Sequence, residues 1–123
     1  MAKSQTEQNL YNKMLIIQVI NYRKLGYTDI KVNNENYNHG QPRGICGYRP
    51  DISAVLDDQT TWCEIVTNES LNETGAIEKW QTLSQYSDNF HMIVPQKSFG
   101  IIKDLMKSNG IIVTKYWHSK SCQ

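Results

Sequence analysis

Cysteine is scarce in this chain. The three present, Cys46, Cys63 and Cys122, are too few for a disulfide scaffold, and no pair has the spacing of a zinc knuckle. A reducing, cytoplasmic setting is the natural expectation. Excess charge is also missing, because 13 Lys and Arg against 12 Asp and Glu leave a formal net charge of +1. A general polyanion binder would be more basic, so contact with nucleic acid would need a local basic patch. Long apolar runs are absent as well. Met1 to Asn9 is polar, and the apolar run that follows is interrupted by Gln18, Asn21 and Arg23. That layout suits neither a signal peptide nor a membrane span, and no membrane partner is expected. There is no phosphate-cradling glycine loop, no repeat and no low-complexity segment. His39, His91 and His118 lack metal-ligand spacing. His91 opens an apolar run and reads as a satisfied structural residue.

What is present suits one soluble domain over residues 1–123, with 39% hydrophobic and 20% charged residues. Ser4 to Leu25 reads as an amphipathic helix, with Leu10, Met14 and Ile17 as its stripe, Tyr11, Leu15 and Tyr22 on the flank, and Gly26 as the stop. A short strand follows over Tyr27 to Asn33. Asn34 to Gly47, rich in Asn, Gly and Pro, is a long loop of the kind that is either functional or disordered. Lys31, His39, Arg43 and Arg49, interleaved with Tyr37 and Tyr48, suit phosphate contact and base stacking. An ordinary solvated loop is the other reading.

Asp51 to Leu56 and Thr60 to Thr67 are strand-like runs around an Asp57-Asp58-Gln59 turn, which predicts a hairpin. Trp62, Glu64 and Val66 then share one face, so a lone carboxylate stands between two large apolar side chains. It is either a solvated edge residue or a charge that needs a partner. Asp51 has the wrong sign, and two acids at one desolvated spot invite a divalent cation. Farther on, Ser70-Leu71-Asn72-Glu73 has capping-box spacing, with Thr74 an alternative cap. The helix to about Ser87 carries Ala76, Trp80 and Leu83 on its core stripe. Phe90 to Pro95 reads as a buried strand. Ser98 to Ser108 reads as a helix with Ile101, Ile102, Leu105 and Met106 on one side, ended by Asn109-Gly110. Ile111 to Trp117 is the last strand, and the tail beyond His118 reads as frayed.

Pro50-Asp51, followed by Glu64-Ile65-Val66, resembles the PD-(D/E)xK signature of the restriction-endonuclease-like nuclease superfamily. The resemblance extends in order and spacing through Gly47-Tyr48-Arg49-Pro50-Asp51-Ile52, Glu64 to Leu71, and Glu78-Lys79-Trp80-Gln81-Thr82-Leu83-Ser84. It covers most of the chain and is that of a small prokaryotic member. One member of the motif departs from it: the strand lysine position is Val66. The resemblance implies a three-layer α/β/α sandwich around a mixed sheet, which agrees with the element order read above.

It further implies a metal-dependent nuclease in which Asp51 and Glu64 hold magnesium or manganese, with the Ile65 carbonyl as a third ligand. Glu7, the only acid on the first helix, is the candidate for the outer shell, against its plain reading as a first-turn acid complementing the helix dipole. Lys79, with Gln81 behind it, is the candidate for the displaced lysine, against a reading of both as exposed helix residues. Arg43, Tyr48 and Arg49 are the expected nucleic-acid contacts, with DNA favoured over RNA. A homodimer is a family expectation, and the segment around Tyr116 and Trp117 is a guess at its interface. The alternative is a catalytically inactive nuclease-fold protein serving as a nucleic-acid-binding or protein-interaction module.

Overall fold

The computed structural model describes residues 4–34 and 40–119. Tyr37, His39, Cys122 and the tail beyond residue 119 lie outside them. Ser4 caps the first helix, α1 (Gln5–Lys24), by accepting from the Glu7 backbone N–H at 3.1 Å. The side chains that reach the core are Met14, Leu15, Gln18, Val19 and Tyr22, with Leu10, Tyr11 and Ile17 packed at its edge. The buried stripe is thus rotated from Leu10 and Ile17 toward the expected flank.

Strands β1 (Thr28–Val32), β2 (Ile52–Leu56), β3 (Gln59–Ile65), β4 (Asn89–Pro95) and β5 (Lys115–Ser119) form one five-stranded mixed sheet in the order β1-β2-β3-β4-β5. The first three strands are an antiparallel meander, and β3, β4 and β5 run parallel. The β2–β3 turn is only Asp57 and Asp58, with φ of 52° and 66°. Two left-handed residues suit a two-residue hairpin, so Gln59 belongs to β3 instead of to the turn. In β1, pairing shifts by one residue between Thr28 and Lys31, where Asp29 has a φ of 49°. This is a β-bulge, a device that re-aims side chains at a sheet edge.

Helices α2 (Ala76–Tyr86) and α3 (Phe99–Ser108) make the parallel crossovers. Two crossovers of one hand stepping in one direction leave both helices on the same face of the sheet. Alternation along the strands divides the core accordingly. Ile52, Ala54, Cys63, Ile65 and Ile93 pack with α1, whereas Val66, Phe90, Met92 and Val94 pack with Trp80, Leu83, Ile102 and Met106. The protein is therefore α/β, with helices on both sides of the sheet.

Three local expectations are corrected. Neither Ser70 nor Thr74 caps α2: Gly75 holds the N-cap position with no side-chain bond. Ser70 instead exchanges bonds with Thr67, accepting from its backbone N–H at 2.7 Å and donating its own N–H to Thr67 Oγ1 at 3.1 Å, which stabilises a short 3-10 turn over Ser70–Asn72. On α3, Ile102 and Met106 are buried, but Ile101 is 71% exposed. The last strand begins at Lys115, because the chain after Gly110 first buries Ile111, whose N–H returns to the Met106 carbonyl. Both residues of the aromatic pair offered as an interface are half-buried. Tyr116 packs edge-on against Phe99, and Trp117 packs against Tyr22 and donates to His91.

Candidate active site at the end of the hairpin

Ile52 stands opposite Cys63 in the hairpin, so the residue before β2, Asp51, falls opposite Glu64 near the carboxyl end of β3. There the backbone ladder gives way to a reciprocal exchange between side chains and main chain. The Asp51 N–H donates to Glu64 Oε2 at 2.8 Å, and the Ile65 N–H donates to Asp51 Oδ2 at 2.9 Å. Each carboxylate thus holds the backbone of the strand opposite it.

The remaining oxygens are reached from both helical layers. From α1, the Tyr11 hydroxyl donates to Asp51 Oδ1 at 2.5 Å. From α2, the Trp80 indole N–H donates to Glu64 Oε1 at 2.9 Å, and the Lys79 ammonium lies 3.0 Å from the same oxygen. Glu64 is 2% exposed on the third of five strands, which rules out the solvated-edge reading. Lys79 is not an exposed helix residue either. Its side chain is 27% exposed and reaches the Glu64 carboxylate from α2, while Val66 is fully buried in the apolar cluster.

These groups border one cavity of about 240 Å³, with Tyr11, Tyr48, Asp51, Glu64, Lys79 and Trp80 in its walls. Tyr48 is held there by a tight turn. Ile45 and Tyr48 exchange backbone bonds of 2.7 and 2.9 Å around Cys46 and Gly47, whose φ values are 52° and 82°. That turn needs left-handed residues, which Gly47 accepts without strain.

Burial sets the electrostatics. Desolvation, then repulsion from Asp51, raises the Glu64 carboxyl to about 8, against the opposing pull of Lys79 and the Asp51 N–H. Burial lowers Lys79, but the Glu64 and Asp51 carboxylates outweigh it and the net shift is upward, so the ammonium keeps its charge. The Tyr11 phenol is pushed up by burial and by the Asp51 carboxylate, and it remains a donor.

Of the residues singled out from sequence, Asp51, Glu64, Ile65, Lys79 and Tyr48 meet at this cavity. Four do not. Glu7 stands half-buried in the first turn of α1, one turn before Tyr11, and is not among the residues that line the cavity. Gln81 is exposed and donates to the Asn109 carbonyl at 3.0 Å. Arg49 is exposed and donates to Gln41 at 2.9 Å. Arg43 borders a different cavity. Tyr11 and the Trp80 indole N–H were not anticipated as site groups. Only the helical stripe of α1 and the spacing of Trp80 on α2 hinted at their burial.

Among the described residues no three of His, Cys, Asp and Glu gather as a metal-binding set. The donor chemistry nevertheless fits a small hard cation, since magnesium is commonly held by one or two carboxylates and completed by water or phosphate. Every carboxylate oxygen here retains a lone-pair direction beyond the bonds described, except the doubly engaged Glu64 Oε1. Compared with known proteins, the chain matches no family model, no curated protein and no solved structure.

Proposed function

We propose that the protein is a divalent-metal-dependent nuclease, hydrolysing phosphodiester bonds at the Asp51–Glu64–Lys79 cavity. The observation that carries this reading is the placement of Lys79. A sequence lacking the strand lysine still brings a cation to 3.0 Å from the second acid of the hairpin. The arrangement of a helix, an antiparallel meander bearing both acids, a crossover helix and a parallel strand supports a restriction-endonuclease-like architecture.

In this reading Asp51 and Glu64, with the Ile65 carbonyl beside them, would hold magnesium or manganese. The ion would supply an activated water and charge stabilisation at the phosphate. The chain's own groups do the rest. Lys79 offsets negative charge on the scissile phosphate, in a site where desolvation strengthens that interaction. Tyr11 fixes the Asp51 carboxylate through Oδ1 and the Ile65 N–H holds Oδ2, with Asp51 in the cavity wall. Trp80 and the Asp51 N–H fix both oxygens of Glu64. Tyr48 forms the outer wall where a nucleotide would enter.

One observation favours the inactive alternative, a binding module on the same scaffold: all four carboxylate oxygens already accept bonds from the chain. The deciding experiment is cleavage of duplex, single-stranded and branched DNA and RNA in magnesium and in manganese, with wild type beside Asp51→Ala and Lys79→Met. Activity lost in Asp51→Ala and reduced about 100-fold or more in Lys79→Met is the expected outcome. A wild-type protein that is folded yet inert in both metals would overturn the nuclease reading.

A further inference from the structure

A second cavity, of about 420 Å³, opens on the same face of the hairpin. Strand alternation places Ser53 next to Asp51, and Trp62 next to Glu64, on the face toward α2. Ser53 and Trp62 are also paired in register. The Ser53–Trp62 pair therefore lies two residues from the acid pair, roughly 7 Å along the strands. That step is on the scale of one nucleotide.

The walls of this cavity differ from those of the first. Trp62 presents a half-buried aromatic surface, and Tyr86, 56% exposed, stands at the end of α2. Lys31 and Arg43 bring positive charge, and Asp29 and Asp88 balance it. Alternation along β1, where Lys31 pairs with Ser53, puts Lys31 and Asp29 on this face, while Ile30 and Val32 stay in the α1 core. Balanced charge around an aromatic wall suits a flat ring bearing polar edges and a single phosphate better than a polyphosphate. A base can stack on Trp62 only when it is out of a duplex, because a paired base has both faces covered.

We propose that this cavity is a flanking-nucleotide subsite: an unpaired base stacks on Trp62, the adjoining phosphate meets Lys31 and Arg43, and the substrate class is single-stranded or locally unpaired nucleic acid. The proposal rests on the nuclease reading for the role of the neighbouring acids. Its binding component does not need the metal, and this allows the two to be tested apart.

The test is fluorescence anisotropy of a short labelled oligonucleotide, single-stranded or annealed to its complement, in EDTA across a salt series. Wild type should bind the single strand more tightly than the duplex. Trp62→Ala should weaken single-strand binding roughly 5- to 150-fold, and Trp62→Phe should retain most of it, because every aromatic ring offers a stacking face. Trp62 also packs against the α2-side core, so Lys31→Ala/Arg43→Ala provides a variant at surface positions. It should lower the logarithmic salt slope by about 0.7, the worth of one phosphate contact on a single strand. Binding that ignores strandedness, Trp62→Ala and the double substitution overturns the subsite, even if Asp51-dependent cleavage is present. Trp62-dependent single-strand binding by a chain that cleaves nothing supports the subsite and overturns the nuclease reading.

Discussion

Glu64 and His91 are near neighbours on adjacent strands, with Glu64 paired to Met92 and His91 to Cys63, and they point to opposite faces of the sheet. Both are almost fully buried. The groups that hydrogen-bond His91 are neutral: Trp117 Nε1–H donates to its Nδ1 at 3.1 Å and the Tyr22 hydroxyl lies 2.7 Å from the same nitrogen. With Nδ1 accepting, the ring proton sits on Nε2. Desolvation, aided by the Lys115 charge, lowers His91 to about 4. Burial drives both groups toward neutrality, but only Glu64 has a cation at one oxygen and a cavity beside it. The comparison separates a polar cluster that fixes packing from one that keeps the means to change its charge state when something binds.

Removing Glu64 should have the largest effect on stability. Glu64→Ala strips the partner from the Trp80 N–H, the Asp51 N–H and the Lys79 ammonium together, and should cost about 3–5 kcal/mol. Urea unfolding measures it. A loss below about 1 kcal/mol would mean that the acid pair is as costly as it is useful.

The two groups also predict opposite pH limbs in metal-free buffer. His91 has a folded pKa of about 4 against an ordinary 6.5, so the unfolded chain takes up the proton first. Its contribution is complete above about 6.5 and is lost as pH falls toward 4, by roughly 2–3 kcal/mol. Glu64 has a folded pKa raised to about 8 from 4.5, so the folded chain holds the proton more tightly. Its contribution is present at low pH and is lost as pH rises from about 4.5 through 8. Unfolding midpoints in EDTA should therefore peak between the limbs. His91→Gln should flatten the acid side, and Glu64→Gln the alkaline side. If Glu64→Gln left the alkaline side unchanged, the network would be holding Glu64 ionised.

Lys79→Met is a smaller stability change, about 2 kcal/mol, because the ammonium is 27% exposed and water screens part of the interaction. Its sharper reading is the Glu64 carbonyl stretch in difference infrared spectra. The variant should raise the pH at which that carboxyl ionises, since a cation that favours the charged form is gone. No movement of the band would mean that Lys79 does not face Glu64 in solution.

Which parts of this site could be read from sequence follows from the range of the interactions. Asp51 and Glu64 were legible because strand period and antiparallel register are local properties, and the same logic placed Trp62, Glu64 and Val66 on one face. Lys79 and Gln81 both flank the Trp80 stripe, where the resemblance admits a displaced lysine, and composition does not separate them. Residues two apart on a helix do not share a face, and Gln81 accordingly reaches the end of α3 while Lys79 reaches the hairpin. Tyr11 escaped because its contact with Asp51 spans 40 residues and depends on how α1 is rotated against the sheet. Arg43 and Tyr48 come from one irregular segment and separate to two cavities, a division fixed by the Cys46-Gly47 turn. The β1 bulge has no marker in a five-residue strand pattern.

The finest distinction between the two clusters is a matched pair of tyrosines. Tyr11→Phe removes one hydroxyl from Asp51 at a half-buried ring, and Tyr22→Phe removes one from His91 at a fully buried ring. Each should cost about 1–2 kcal/mol, the worth of one buried hydrogen bond. They should part in what else they change. The Tyr11 hydroxyl orients a carboxylate that faces the cavity, so its loss should weaken manganese binding about tenfold, as removal of an outer-sphere partner does at other metal sites. Tyr22 contacts His91 on the α1 side of the sheet and is not among the residues that line the cavity, so Tyr22→Phe should bind manganese as wild type does. Isothermal titration of both variants measures this directly. Equal weakening in both would show that manganese affinity follows general stability, whereas weakening in Tyr11→Phe alone assigns the effect to the orientation of Asp51.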